Sequence, residues 1–440
     1  MHQYVGEVVD LTDPALNHLD DLTLDEARAR VRTGDPKAVR AIGGSFAIVA
    51  KDGETVRLAR SLDRPVRFFL AKKVEGPALI VADRIDAIHA WLRDHGFADQ
   101  FHPNYTRMVP AHHVMTIRLV GCPDPSPSYA RFVVPTPGTL PADVDAIGRA
   151  YIGALINEVA TWLRRIPADA PVGVSVSGGI DSGSVFLATA HAMRAQGMSP
   201  ARLKAFTLDA GNGPDLAQAR AFLERVDMGL FLEPVTAPAA FDVDEVIRLT
   251  EDYKSLDVEC AAMSLALLRG IRARYPDWTY LVDGDGGDEN MKDYPIAENS
   301  ELTIRSVVNN PLLYQEGWGV GTMKHSLTYS GGLSRSYVRT CAPARHLGFE
   351  GFSPYTRPAI VEIAGSLPWD ALTGYDEDRL YALKGEIVAS GIRQLTGVEM
   401  PVFEKRRFQH GAIDHDAMRS ALPWTEADYR RRFHAMYAGR

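Results

Sequence analysis

The feature that most narrows what this chain can fold into is the β-branched run Val172–Val176, followed at once by Ser177-Gly178-Gly179-Ile180-Asp181-Ser182 and by a helix-length segment containing Val185, Phe186, Thr189 and Met193. A short strand that passes through two glycines into a helix is the first half of a βα unit. Strand-like runs recur at LKAFTL (203–208), LFLEPV (230–235) and TYLVDG (279–284), with helix-length segments between them. This alternation predicts βαβ units and a mostly parallel, doubly wound sheet, so the expected class is α/β, and α+β over the whole chain. Upstream, Ile152, Leu155, Ile156, Val159 and Leu163 keep the helical period, and roughly 300–440 read as helices with irregular connections.

The glycine loop also suits chemistry. Glycines let the backbone approach a ligand, serine hydroxyls donate, and a helix N-terminus presents unpaired N–H groups with the positive end of its dipole, which together make a phosphate cradle. The plainer alternative is a turn that only closes the strand–helix corner; the Ser, Asp and Ser decoration favours the cradle. It is not a Walker A loop, because no Gly-Lys-Ser/Thr occurs in the chain. A second loop, Asp283-Gly284-Asp285-Gly286-Gly287-Asp288-Glu289, follows the strand-like Tyr280–Val282. Its carboxylates stand at the carboxyl end of a strand, where open α/β sheets bind ligands.

SGGIDS is similar to the SGGxDS loop of the PP-loop ATP pyrophosphatases, a likeness that implies cleavage of ATP between the α and β phosphates. With DGDGGDE and the order of the domains it resembles the asparagine synthetase family, whose relatives include the β-lactam synthetases and lasso-peptide cyclases. The family's second loop reads close to SGEGxDE; Asp285 stands where asparagine synthetases carry Glu and β-lactam synthetases Tyr. GFEGFSPY (348–355) is similar to GLExRxPFLD, with Phe352 in place of the Arg and Arg357 where the Asp would fall. Lys405-Arg406-Arg407-Phe408-Gln409-His410-Gly411 resembles the stretch that contributes a catalytic lysine.

The resemblance implies a set of roles. Lys405 is the catalytic cation, and Asp285 the base that deprotonates the attacking ammonium. Asp181 and Asp288 hold Mg²⁺. Ser177, Gly178, Gly179 and Ser182 cradle pyrophosphate, and Gly284 with the strand ends Val174, Ser175, Phe206 and Thr207 completes the ATP contacts. Plainer alternatives stand beside these: an N-cap for Asp181, a solvated turn carboxylate for Asp288, a strand-end cap for Asp283, a core position for Phe206, a surface charge for Lys405. His325, Tyr329, Arg335, Arg339 and Arg345 fall where the acceptor side is expected, and an Arg there would clamp a substrate carboxylate unless these are surface residues.

At 440 residues the chain suits two or three domains. Within 40–90, GGSFAIVAKDG, TVRLARS, VRFFLAKK and ALIVADRI read as an antiparallel meander with a turn at Asp52-Gly53. The Pro-dense segment 122–141 reads as a linker, which sets the boundary: 1–140, then 141–440. GGSFAIVAKDG, LARSLDRPVRFFLA and LIVADRIDAI resemble strands of the family's N-terminal nucleophile (Ntn) hydrolase domain. In glutamine-dependent members a cysteine directly follows the initiator Met; here that position is His2, and the early Arg and Asn-Gly-Glu segments have no counterpart. A degenerate, truncated glutaminase-like domain without glutaminase activity is therefore expected. Cys122, interior to a linker, has no free α-amino group to serve as base.

A composition 46% hydrophobic and 24% charged fits a soluble globular protein. Forty-eight Lys and Arg against 56 Asp and Glu give a net charge of −8, which disfavours nucleic acid or anionic lipid as partner. Cys122, Cys260 and Cys341 lie far apart, so neither a disulfide framework nor a zinc module is readable, and a cytoplasmic setting is the expectation. No uncharged apolar run approaches the ~18 residues of a membrane span.

The expected function is an ATP- and Mg²⁺-dependent, AMP-forming amide ligase of specialised biosynthesis. It would join a small-molecule or peptide carboxylate to an amine or ammonia, with homodimerisation allowed for. Alternatives are an intramolecular cyclase of the β-lactam or lasso-peptide type, a catalytically silent nucleotide-binding partner, and a PP-loop enzyme acting on tRNA or a nucleobase, which the acidic balance disfavours.

Overall fold

The computed structural model describes residues 6–118, 127–210, 213–237, 241–291, 337–374, 376–403, 411, 413 and 415–438. They fall into two compact units, one drawn from the described residues within 6–134, Tyr337 and 430–438, the other from those within 135–291 and 338–429.

The first unit contains β1 (Glu7–Asp10), β2 (His18–Asp20), α1 (Leu24–Thr33), α2 (Pro36–Arg40), β3 (Gly43–Ser45), β4 (Ala47–Asp52), β5 (Thr55–Arg60), β6 (Arg67–Ala71), β7 (Ala78–Ala82), α3 (Ile85–Asp94), β8 (Arg107–Met108), β9 (His113–Arg118) and β10 (Ser128–Arg131). The expected single meander is instead two four-stranded sheets, ordered β10-β9-β5-β4 and β1-β7-β6-β8. The β4–β5 and β6–β7 pairs are antiparallel as read, but the chain changes sheets between them. The reason is burial. Ala47, Val49, Val56 and Leu58 on one sheet share a core with Phe68, Leu79 and Val81 on the other, and one flat sheet would leave those faces in water. Arg60 fixes the crossing: fully buried, its guanidinium donates to the carbonyls of Val109, Leu62 and Arg64.

In the second unit come α4 (Val144–Leu163), β11 (Val172–Ser175), α5 (Ile180–Ala195), β12 (Leu203–Asp209), α6 (Asp215–Arg225), β13 (Leu232–Thr236), α7 (Val243–Thr250), α8 (Ser255–Arg274), β14 (Tyr280–Val282), α9 (Gly287–Met291), α10 (Ala342–His346), β15 (Glu350–Phe352), α11 (Pro358–Gly365), α12 (Trp369–Thr373) and α13 (Glu377–Thr396). All five strands run parallel in the order β13-β12-β11-β14-β15. Their near-continuous apolar character, as in Val172, Val174, Ala205, Phe206, Leu281 and Val282, is what burial on both faces demands. The purely helical reading of 300–440 needs correction: Glu350–Phe352, inside GFEGFSPY, pairs with β14 from Tyr280↔Glu350 to Val282↔Phe352. Three residues are too few to show a period, so this strand owes its existence to the open edge of β14.

The order places β11 at the centre. The chain builds outward to β13 and then returns to add β14 on the other side of β11, so the strand order reverses between β11 and β14. The loops leaving those two strands are neighbours at this switch point, the place where open α/β sheets bind ligands.

Helix α13 lies against α4 at a crossing close enough that a Cβ on Gly391 would sit 2.2 Å from the Gly148 carbonyl oxygen. Gln394 ties the same pair together, accepting from Arg149 Nε at 3.0 Å and donating to the Asp145 carbonyl at 3.0 Å. No helix among the described residues is long and apolar enough to cross a membrane.

Candidate active site

Strand β11 ends at Ser175, and after Val176 and Ser177 the loop turns at Gly178, whose φ of +75° lies in the left-handed region that favours glycine. The N-cap of α5 is Gly179, and no side chain caps the helix. Its leading N–H groups are therefore left without a side-chain cap at the dipole's positive end. Two serines knit the loop: Ser182 Oγ accepts from Ser177 N at 3.2 Å, and the two hydroxyls are 3.2 Å apart. Asp181 is not the N-cap; it is the second helical residue, and its carboxylate turns toward α13.

The second loop packs directly on the first. A Cβ on Gly287 would lie 2.1 Å from Asp181 Oδ1, so only glycine admits the carboxylate at this position. Behind the loops, Asn290 donates to the Tyr355 carbonyl at 2.9 Å and to Tyr151 Oη at 3.3 Å, while Ser184 Oγ and Tyr355 Oη are 2.6 Å apart. The rings of Tyr151 and Tyr355 stack at 5.5 Å. These contacts bind α4, α5, α9 and the segment after β15 into one support.

Where the loops meet, Lys384 of α13 joins them. Its Nζ donates to Asp181 Oδ2 at 2.7 Å and also to Asp288 Oδ1, with a side chain only 2% exposed. Burial pushes the Asp181 carboxyl up to about 8, against the pull of Lys384 and with the help of Asp288. Its Oδ1 is buried and has no donor. An acceptor oxygen left over beside a second carboxylate fits a hard cation. Among the described residues no group of three or more His, Cys, Asp or Glu is placed to hold a metal ion, so such a cation would need phosphate oxygens to complete its shell.

A second set of carboxylates lies on the far side of the same loop. Asp283, buried, accepts from Asp285 N at 3.0 Å, the strand-end cap that competed with a functional role for it. Asp285 Oδ2 accepts from Thr340 Oγ1 at 3.2 Å. Thr340 and Arg339 come from a π-helical turn, Tyr337–Cys341, a geometry frequent at functional sites. Arg339 Nε donates to the buried Asp257 at 3.2 Å. Burial and Asp283 drive the Asp285 carboxyl well above the ordinary range, with Arg339 opposing; burial lifts Asp283 to about 6.

The structure thus brings together Ser177, Gly178, Gly179, Asp181, Ser182, Gly284, Asp285 and Asp288. The side chains of Val174 and Phe206 are fully buried, with Phe206 against Trp278 at 5.0 Å, and Thr207 Oγ1 donates to the Val176 carbonyl, which leaves the backbone of these strand ends for any contact with ATP. Arg339 is a buried partner of Asp257 rather than a surface residue. Phe352 stacks on Trp162 at 5.2 Å. Lys405 to His410, His325, Tyr329, Arg335 and Cys122 lie outside the described residues. Lys384 was missed, although one signal was present: it interrupts the apolar stripe Leu383, Ile387, Val388 and Ile392, where a lysine is buried only with partners.

Residues 160–328 match the sequence model of the asparagine synthase family. No curated protein matches the chain. The matched stretch includes both loops, and it supports an ATP-using amide ligase of the asparagine synthetase type.

Proposed function

We propose that the chain is an ATP-dependent amide ligase that forms AMP and pyrophosphate. The observation that carries this reading is the meeting of the SGGIDS and DGDGGDE loops at the switch point, with Asp181 and Asp288 on one cation, Lys384. A substrate carboxylate oxygen attacks the α-phosphorus, the bond to the β-phosphate oxygen breaks, and pyrophosphate leaves into the cradle of Ser177, Gly178, Gly179, Ser182 and the α5 N-terminus. The amine then attacks the acyl carbonyl and AMP leaves, with its proton taken by Asp285.

Asp181 and Asp288 would hold Mg²⁺, which when bound supplies positive charge to the phosphate oxygens. Lys384 is the cation positioned to follow phosphate charge, and Lys405 is proposed as a second at the reacting centre. Asp285 is assigned the base by its place on the second loop, where Thr340 donates to one oxygen and aims it.

The nitrogen is proposed to come from ammonia or an amine rather than glutamine, since the one cysteine of residues 1–140, the stretch that resembles a glutaminase domain, is Cys122, which is interior and has no free α-amino group to serve as base. A place in specialised biosynthesis is proposed from the departures of the glutaminase-like stretch, at His2, and of GFEGFSPY, at Phe352 and Arg357. The test is product analysis. With ATP, Mg²⁺ and a panel of carboxylates and amines, AMP and pyrophosphate should accumulate in step with amide; ADP and phosphate would contradict the reading, and glutamate released from glutamine alone would contradict its nitrogen source.

A further inference from the structure

Lys384 holds the same two carboxylates that the proposed function assigns to a metal ion. Its ammonium takes one oxygen from each, Asp181 Oδ2 and Asp288 Oδ1, and leaves Asp181 Oδ1 without a donor. An ammonium there offsets negative charge that would attract a divalent ion and repels that ion at short range. The helix that carries it is pinned, because Gly148 and Gly391 bring α4 and α13 to backbone contact and Gln394 bridges them. Withdrawal of the whole helix is thus barred, whereas the four-carbon stem of a lysine turns freely.

We infer that Lys384 is a resident counter-ion which a divalent metal must displace, so that this chain takes its metal together with nucleotide and not before it. Lys384 gives up the carboxylates only when phosphate oxygens offer its three N–H donors new acceptors. Metal and nucleotide affinities are then coupled through one side chain, each raising the other by the same factor. The inference rests on the proposed ATP site and its carboxylate pair.

The test is a Mn²⁺ titration of the full chain, followed by the electron paramagnetic resonance of the free ion, with and without α,β-methylene ATP. Wild type should bind Mn²⁺ alone at least about tenfold more weakly than with the nucleotide. Lys384→Met should bind Mn²⁺ alone at least about tenfold more tightly than wild type, and Lys384→Arg, which keeps the charge, should stay at the wild-type value. Unchanged or weakened Mn²⁺ affinity in Lys384→Met overturns the inference. So does wild-type binding of Mn²⁺ alone as tight as with nucleotide, once the ion chelated by free α,β-methylene ATP in a protein-free titration is subtracted, a comparison that stands even if Lys384→Met does not fold. An Asp181→Asn chain that takes Mn²⁺ with nucleotide as well as wild type overturns the carboxylate assignment itself, and no binding of α,β-methylene ATP overturns the proposed ligase; these outcomes separate failure of the function from failure of the inference.

Discussion

Asp181 and Lys384, 203 positions apart in sequence, stand 2.7 Å apart in space, and this contact joins the loop after β11 to helix α13. Asp288, from the loop after β14, shares the same ammonium. Three separate pieces of chain thus depend on one charge.

Removing that charge leaves two carboxylates facing each other. Breaking a buried pair from one side costs about 3–5 kcal/mol, and the part exposure of Asp181 and Asp288 reduces this, so Lys384→Met should lose about 2–3 kcal/mol of stability by urea denaturation. Adding Asp181→Asn should restore part of the loss. A strictly additive double variant would argue that the pair does not interact.

Gly287→Ala puts a methyl group 2.1 Å from Asp181 Oδ1, and that carboxylate cannot turn aside without leaving Lys384. Stability should fall by about 1–3 kcal/mol, the usual cost of overpacking, and affinity for α,β-methylene ATP should fall with it. Wild-type values for both in isothermal titration and thermal melts would mean the loops do not pack as described.

Thr340→Val removes the hydroxyl that orients Asp285 and nothing that touches the SGG loop. Adenylate formation, read as carboxylate-dependent pyrophosphate release, should persist, while amide yield per AMP falls about tenfold, in line with a lost general base contact. Thr340→Ser should restore the yield. Equal losses in both steps would assign Thr340 a structural role.

The parallel sheet and both glycine loops were legible because each is a local signal: a strand, a turn and a helix in one stretch of sequence. What was not legible was long-range. The two stacked sheets of the first unit arise from facing apolar surfaces on separate hairpins, β15 from pairing at the edge of β14, and Lys384 from the crossing of α13 over α4. For Phe206 the end of a strand at a switch point and a core ring read alike in sequence, and only the packing of Trp278 and Tyr275 against the ring shows the core position.

Asp252 gives a pH dependence with a definite sign. Burial and Asp257 push its carboxyl up to about 7, against about 3.9 in an unfolded chain. The folded state therefore holds that proton more tightly, so the contribution is full below pH ~4 and is lost as pH rises through 7. Wild type should lose stability across this window at up to about 1.4 kcal/mol per pH unit from this group. Asp252→Asn keeps an Oδ1 acceptor for the N–H groups of Tyr253 and Lys254 and should flatten the decline in urea midpoints between pH 4 and 8; an unchanged slope would contradict the assignment.

The most direct measurement is magnesium-dependent exchange of labelled pyrophosphate into ATP, run with a panel of amino acids and small peptides as carboxylates. A ligase that forms an acyl-adenylate on the joined loops predicts exchange with at least one of them, carboxylate-dependent and abolished by Asp181→Asn. Binding of α,β-methylene ATP with no exchange across the panel, or exchange that survives Asp181→Asn, would contradict it.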